Sequence, residues 1–170
     1  MDMERVWNVV GECLECALDD LDAMRSREGD YLKKDFLERL NFVEQAIEKI
    51  KADSGDLLPQ YQKRLVERVK TLCDGVAQVD EARIAQEAAI LADKSDISEE
   101  IVRASSHVIQ FRSIMDSPEA AGRKLNFLLQ EFNREFNTMG SKVGHAGVSH
   151  LIVDVKSELE RLREQVQNVE

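Results

Sequence analysis

The sequence has few aromatic residues, few prolines and no long hydrophobic run. Aromatics make up 5% of its 170 residues and prolines number two, whereas charged residues make up 33%. A chain rich in Glu, Lys, Arg and Leu with so few aromatics is typical of long helices and has little sheet. No apolar run approaches the ~20 residues that a membrane span requires, and the acidic, mixed N-terminus does not resemble a signal peptide. The sequence therefore predicts an all-α fold.

Cysteine is also scarce, with three residues in the chain. Cys13 and Cys16 form a CxxC pair, but the pair lies inside a helical pattern and no second pair completes a zinc site. We expect reduced thiols that are buried or half-buried. A cytoplasmic location is the simplest expectation.

Positive charge is in deficit, since the formal net charge is −10. This balance argues against binding nucleic acid by bulk charge, so any contact with RNA has to be local. Between Glu119 and Lys142 the chain has four basic and three acidic residues. That segment is close to neutral within an acidic chain.

Apolar spacing divides the chain into two parts. Residues 3–52 and 58–72 repeat apolar side chains with coiled-coil-like spacing on either side of a turn at Ser54-Gly55-Asp56. Gly29 leaves open whether the first segment is one helix or two. We predict a long helical hairpin with coiled-coil-like packing over residues 1–75 and a multi-helix bundle over residues 76–170.

Two patterns predict helix starts inside the bundle. Asp96-Ile97-Ser98-Glu99 indicates a capping box, in which the Asp96 carboxylate accepts from the Glu99 amide and Glu99 reaches back. Ser117-Pro118 indicates the start of the next helix. That start would place Arg123 and Lys124 beyond the helix turn that most favours an anion.

The stretch Gly122 to Lys142 has two unlike faces when it is wound as a helix. The core face consists of Leu125, Leu129, Phe132, Phe136, Met139 and Val143. The opposite face carries Arg123, Asn126, Gln130, Arg134, Asn137, Thr138 and Ser141, flanked by Lys124, Glu131, Glu135 and Lys142. Amides, hydroxyls and guanidiniums are directional groups suited to phosphate and sugar oxygens. From chemistry alone, a nucleic-acid surface and an interhelical network in an oligomer remain equally open.

The same stretch, GRKLNFLLQEFNREFNTMGSK, resembles the C-terminal signature of the bacterial YicC family. These endoribonucleases were long labelled only as stress-induced proteins. Glu81–Phe111, Lys156–Glu170 and Met24–Leu40 are similar to further blocks of that family. Its members carry an additional strand-rich N-terminal domain, so this chain resembles their C-terminal half. They also tend to have Asp at position 126 and Met at position 132, so Asn126 and Phe132 are not given indispensable roles.

The resemblance implies metal-assisted cleavage of RNA phosphodiesters, with Mg²⁺ or Mn²⁺ as the expected cofactor. RNA cleavage needs an activated oxygen nucleophile, charge stabilisation at phosphorus and protonation of the leaving oxygen. His107 shares a predicted polar face with Glu100 and Arg103, whereas His145 and His150 could simply be solvated. The predicted catalytic residues are His107, Glu131 and Glu100, and the predicted metal ligands are Glu87, Asp93 and Glu135. The predicted nucleic-acid-binding residues are Arg123, Lys124, Gln130, Arg134, Asn137 and Lys142.

Simpler explanations exist for these residues. Glu131 and Glu135 form a like-charge i, i+4 pair that Arg134 can compensate, and the basic residues can pair with the surplus acids. The chain could then be a non-catalytic helical oligomerisation module, or an RNA-binding module without catalysis. The resemblance implies RNA as partner and a homo-oligomer, a hexamer in the family. We expect no membrane and no small-molecule cofactor.

Overall fold

The computed structural model describes residues 2–55, 63, 66–69, 71, 81–143 and 146–169. Five helices have their bounds within these residues: α1 (Met3–Gly55), α2 (Glu81–Ser95), α3 (Ser98–Met115), α4 (Gly122–Lys142) and α5 (Ala146–Val166). The described residues are 91% helical and contain no strand. The predicted all-α fold is confirmed. None of the described helices is long and apolar enough to cross a membrane.

The first helix is continuous through Gly29, which answers the question of one helix or two. A Cβ atom at Gly29 would meet nothing within 4 Å, so no packing contact depends on this glycine. The later part of the predicted apolar stripe is buried, from Phe36 through Leu40 to Ile50. The predicted second arm of the hairpin and the predicted boundary at 75/76 lie largely outside the described residues and stay predictions.

The chain forms two compact units, Met1–Glu38 and Arg39–Glu170. In the first unit the apolar stripe is exposed, with Val6 at 41% and Met24 at 57%. Cys13 and Cys16 are free thiols, as expected, but both are exposed. The expectation that they are buried or half-buried is wrong for these two residues, because this part of α1 is exposed.

The second unit has α4 at its centre, packed against both α3 and α5. All six residues of the predicted core face of α4 are at most 5% exposed, and Phe132, Phe136 and Met139 are fully buried. The part of α1 that belongs to this unit, from Arg39 to Gly55, is joined to the bundle by ion pairs. Arg39 Nη1 lies 2.6 Å from Glu158 Oε2 on α5, and Arg112 Nη2 on α3 lies 2.8 Å from Glu44 Oε2.

The start of α4 differs from the prediction. The helix begins at Gly122 rather than near Ser117, because the Ser117 hydroxyl accepts from the Glu119 amide in a local turn. Arg123 and Lys124 therefore lie in the first helical turn. No acidic residue is present in that turn, so the positive end of the helix dipole is not neutralised locally.

The start of α3 also uses a different hydrogen bond from the predicted capping box. Asp96 Oδ1 accepts from the Ser98 amide at 2.9 Å and from the Ser98 hydroxyl at 2.6 Å. These two hydrogen bonds hold the pKa of Asp96 below its usual value of 3.8. Glu99 does not reach back but pairs with Arg103 instead. Asp96 thus orders the turn that precedes α3.

Candidate nucleic-acid interface

A cleft of about 590 Å³ is lined by residues of α4 and α5. Its lining residues are Leu129, Gln130, Asn133, Arg134, Asn137, Thr138, Glu160 and Arg163. Three of the six predicted nucleic-acid-binding residues, Gln130, Arg134 and Asn137, are brought together there. Most of the lining side chains are polar, with amides, a hydroxyl and two guanidiniums that can bind phosphate and sugar oxygens.

Hydrogen bonds fix several of these side chains. Lys156 Nζ donates to Asn137 Oδ1 at 2.8 Å, which links α5 to α4. Arg163 donates to both carboxylate oxygens of Glu160, with Nε at 3.0 Å from Oε2. The hydrogen bond from Arg163 holds the pKa of Glu160 below its usual value of 4.5. The α5 side of the cleft is therefore pre-organised.

Arg134 is the most accessible cation of the cleft. Its side chain is 76% exposed, and its closest carboxylate oxygen, Glu131 Oε2, lies 3.9 Å away. This distance is at the outer limit of an ion pair, so Arg134 retains nearly all of its capacity to bind a phosphate. The sequence had suggested that Arg134 balances the charge of the Glu131/Glu135 pair. The ion-pair partner of Glu135 is instead Arg103 of α3.

Two further predicted cations, Arg123 and Lys124, lie in the first turn of α4 and differ in their ion pairing. Arg123 is exposed and forms no ion pair within the described part of the chain. Lys124 is 55% exposed and pairs with Glu119. Arg123 is thus the freer of the two for an incoming anion.

Sequence reasoning missed two cations and one aromatic of this surface. Lys156 and Arg163 are seven residues apart, a spacing that places them on the same side of α5. This spacing could have been noticed, but which side of α5 faces α4 depends on the packing. Phe127 is 64% exposed on α4 and was not assigned to either face.

An ion network lies between α3 and α4, away from the cleft lining. Arg103 Nε is 2.9 Å from Glu135 Oε1, and Arg103 Nη2 is 3.3 Å from Glu100 Oε1. Lys142 Nζ binds Glu100 Oε1 at 3.0 Å and the Asp96 carbonyl oxygen at 2.9 Å. Glu100 and Glu135 are only 4% and 6% exposed. The polar faces on which the sequence places these two carboxylates are therefore not open to solvent there, because both carboxylates are covered where α3 meets α4.

His107 is half-buried beside Phe132, with ring centroids 5.4 Å apart and an interplanar angle of 65°. Both ring nitrogens are buried and have no hydrogen-bond partner among the residues described. Glu131, by contrast, has a side chain that is 33% exposed. Of the three predicted catalytic residues, Glu131 has the accessible functional group, whereas Glu100 and His107 present their polar atoms inside the bundle.

The predicted metal ligands are not gathered into one group. Glu87 and Asp93 are exposed on α2, while Glu135 is held by Arg103. Within the described ranges, no three His, Cys, Asp or Glu side chains converge as a metal site would require. The charges of Glu100 and Glu135 are already balanced by Arg103 and Lys142. As arranged, these residues do not fit a divalent ion.

Comparison with known proteins gives the family. The family model for the C-terminal domain of YicC-like endoribonucleases matches residues 50–170. A protein of Clostridioides difficile named probable endoribonuclease YicC is 43% identical over 169 residues, which covers 99% of this chain and 58% of that protein. The protein of the same name from Haemophilus influenzae is 34% identical over 171 residues, covering 98% of this chain and 58% of its own length. The chain thus spans 58% of the length of each of these two relatives. It belongs to the YicC-like endoribonuclease family.

Proposed function

We propose that this chain is the RNA-binding helical part of an endoribonuclease, and that RNA lies along α4 and the cleft between α4 and α5. The observation that carries the proposal is the lining of the cleft. It combines the accessible guanidinium of Arg134 and three side-chain amides with Arg163, which is paired with Glu160, in a chain of net charge −10. Such groups bind the phosphates and riboses that all RNA sequences share.

The charge of α4 supports a local RNA site. Gly122–Lys142 contains four basic residues and two acidic ones, an excess of two positive charges in an acidic chain. Both acidic residues already have basic partners, Glu131 at long range and Glu135 in the buried network. Two of the four basic residues, Lys124 and Lys142, are paired with Glu119 and Glu100. Arg123 and Arg134 are therefore the cations of α4 that are open to an RNA phosphate, although the chain as a whole repels RNA.

Endonucleolytic cleavage is the second part of the proposal, supported by family membership and by the names of the two relatives. Glu131 is the carboxylate suited to accept or deliver a proton there, because it is partly exposed and adjoins Arg134. Arg134 would bind the phosphate next to which Glu131 transfers the proton. His107 and Glu100 would support the α3–α4 contact rather than touch the RNA.

A divalent ion such as Mg²⁺ or Mn²⁺ remains part of the proposal through the family resemblance. When bound, such an ion would supply charge stabilisation at phosphorus. Glu87, Asp93 and Glu135, the ligands predicted from the resemblance, are not gathered in the described arrangement, so no step is assigned to the ion. The steps assigned to Glu131 and Arg134 do not depend on the ion.

The rival function is a non-catalytic assembly module, and one observation favours it. The α1 stripe in the unit Met1–Glu38 exposes large apolar side chains, including Leu14 at 59% and Leu18 at 52%. Such a stripe is typical of a helix that pairs with another helix. It is our candidate surface for the homo-oligomer that the resemblance implies, and it is compatible with RNA binding at α4.

The cleft is tested by an RNA affinity measurement on the whole chain. We expect Arg134→Ala/Arg163→Ala to weaken binding of a fluorescently labelled RNA by about tenfold, because two phosphate contacts are lost. The slope of log affinity against log salt should become shallower by about 1.4, the single-strand value for two contacts. Fluorescence anisotropy over a salt series measures both quantities.

The matched control removes the same charge elsewhere. Arg5 and Arg27 are exposed on α1 within Met1–Glu38, and Arg5→Ala/Arg27→Ala changes the net charge equally. This variant should bind RNA like the wild type. Equal losses in both double variants would mean that bulk charge governs binding, which contradicts a site in the cleft.

Cleavage is tested with a structured RNA in the presence of Mg²⁺ or Mn²⁺ and again with EDTA. We expect cutting that Glu131→Gln reduces by about 100-fold or more, the usual contribution of a general acid or base, and the EDTA arm shows whether a divalent ion takes part. Glu38→Gln, an exposed carboxylate on α1, is the control. Cutting that persists unchanged in folded Glu131→Gln would remove Glu131 from the site, and silence of the wild type would leave this chain as a binding module.

A further inference from the structure

Phe127 is an aromatic residue that the packing of the protein does not use. Its side chain is 64% exposed, whereas Phe132 and Phe136 on the same helix are fully buried. It therefore contributes little of the hydrophobic stabilisation that buried phenylalanines provide. A single exposed apolar residue is ordinary in itself, so what matters is what surrounds it.

The neighbours of Phe127 on α4 are charged and polar side chains, Arg123 and Lys124 before it and Gln130 and Glu131 after it. Since α4 is one helix from Gly122 to Lys142, residues three or four positions apart are neighbours on its surface, and residues seven apart share the same face about two turns apart. Arg123 precedes Phe127 by four positions and Arg134 follows it by seven. Gln130, which also lines the cleft, follows by three. The exposed ring thus lies between two accessible guanidiniums and beside the cleft.

Other exposed apolar side chains of the same unit lack this combination. Val102 and Ile109 are 68% and 67% exposed on α3, and Val153 is 64% exposed on α5. These three are aliphatic, as are the exposed Ile90 and Leu91 of α2, so none of them offers a π-face to a nucleobase. Phe42 of α1 is aromatic but only 39% exposed, and Arg39, three positions before it, is paired with Glu158. Arg112, three positions after Ile109, is engaged with Glu44.

We propose that Phe127 is a stacking site for one unpaired RNA base, with the neighbouring phosphates bound by Arg123 and Arg134. Every base has a π-face, so this contact tolerates any sequence but requires the base to be unstacked from its neighbours. The site therefore selects single-stranded RNA over duplex. This inference rests on the proposed function and specifies its substrate class.

Charge complementarity favours RNA over a protein helix as the occupant. Arg123 forms no ion pair within the described residues, and the nearest carboxylate oxygen to Arg134 is 3.9 Å away. A second copy of this acidic chain offers carboxylates only at scattered positions of its surface. An RNA strand supplies an anion at every nucleotide, on both sides of the stacked base.

The test compares the affinities of the whole chain for a short oligouridine, a short oligoadenosine and a duplex of equal length. Phe127→Ala and Phe127→Leu should each weaken binding of both single strands by about 5- to 150-fold, the range reported for loss of one stacked base. Duplex affinity should stay unchanged. Phe127→Leu is the informative variant, because a leucine preserves an apolar contact with a protein but cannot stack on a base.

A fluorescent variant reports stacking directly. The chain has one tryptophan, Trp7, so Phe127→Trp in a Trp7→Phe background places the only indole at the site. This variant should retain single-strand affinity, and its emission should be quenched when the RNA binds. Ile109→Ala, an equally exposed apolar truncation on α3, is the control and should bind like the wild type.

The outcomes separate this inference from the proposed function. If Arg134→Ala/Arg163→Ala loses RNA binding while Phe127→Ala does not, the stacking site is overturned and the cleft stands. If Phe127→Leu binds as tightly as the wild type, or if Phe127→Ala changes the oligomeric state instead of the RNA affinity, the aromatic is a protein contact and the inference is wrong. If the wild type binds no RNA, both proposals fail.

Discussion

Arg103→Ala should lower the melting temperature by about 5–10 °C, the largest effect we expect from removing one surface arginine. Arg103 is the ion-pair partner of Glu135 and one of two partners of Glu100. Its removal leaves Glu135, only 6% exposed, without a charge partner between α3 and α4. A buried carboxylate that loses its partner is strongly destabilising, whereas the intact pair contributes little.

A second substitution separates this explanation from a simple loss of packing. Arg103→Ala/Glu135→Leu removes the stranded carboxylate as well, and should recover at least half of the lost melting temperature. Arg134→Ala, which removes an exposed guanidinium from the adjoining helix, should change the melting temperature little. A double variant as unstable as Arg103→Ala alone would show that the carboxylate is not the cause.

The pH dependence of the network has a definite sign through Glu100. Burial alone would raise the pKa of Glu100, but the hydrogen bond from Lys142 and the charges of Lys142 and Arg103 outweigh it and hold the pKa below 4.5. The stabilisation by ionised Glu100 is therefore present above pH 4.5 and is lost as the pH falls through the lowered pKa. The stability difference between wild type and Glu100→Gln should accordingly narrow in acid.

Gly122→Ala should lower the free energy of unfolding by about 2 kcal/mol. A Cβ atom at position 122 would lie 2.1 Å from the carbonyl oxygen of Val169 and 3.1 Å from its carbonyl carbon. These are backbone atoms that cannot turn aside as a side chain could, and the Val169 amide is itself bonded to the Val166 carbonyl oxygen. The start of α4 or the residues after α5 must move. Urea denaturation of the two proteins measures the cost.

Gly140→Ala is the matched control on the same helix. The nearest atom to a Cβ atom there is Ile152 Cγ2 at 3.6 Å, an ordinary contact. Because glycine is a poor helix former, this substitution should stabilise the protein by about 0.5–1 kcal/mol. The two substitutions should thus have opposite signs. A Gly122→Ala protein as stable as Gly140→Ala would contradict the close approach at Val169.

The structural features that were predicted correctly from the sequence are those that depend on local periodicity. The core face of α4, from Leu125 to Val143, follows from the 3.6-residue repeat, since any helix with this pattern must bury that side. The continuity of α1 through Gly29 could not be decided in advance, because a single glycine weakens a helix without ending it.

What the sequence did not predict depends on partners from other helices. Glu100 and Glu135 look like surface residues until Arg103 and Lys142 are placed beside them. Arg163 joins the cleft only because α5 turns that side toward α4. The helix start at Gly122 went against a plausible Ser-Pro signal, and the close approach of Val169 to Gly122 is a contact that no local pattern encodes.

The most direct test of RNA binding at α4 is ultraviolet crosslinking of the whole chain to single-stranded RNA, followed by tryptic digestion and mass spectrometry. Cleavage after Lys124 and Arg134 releases the peptide Leu125–Arg134, which contains both Phe127 and Gln130. We predict that this peptide carries the principal crosslink and that it is lost in Phe127→Ala. Crosslinks confined to peptides of Met1–Glu38, with none on α4 or α5, would contradict the account.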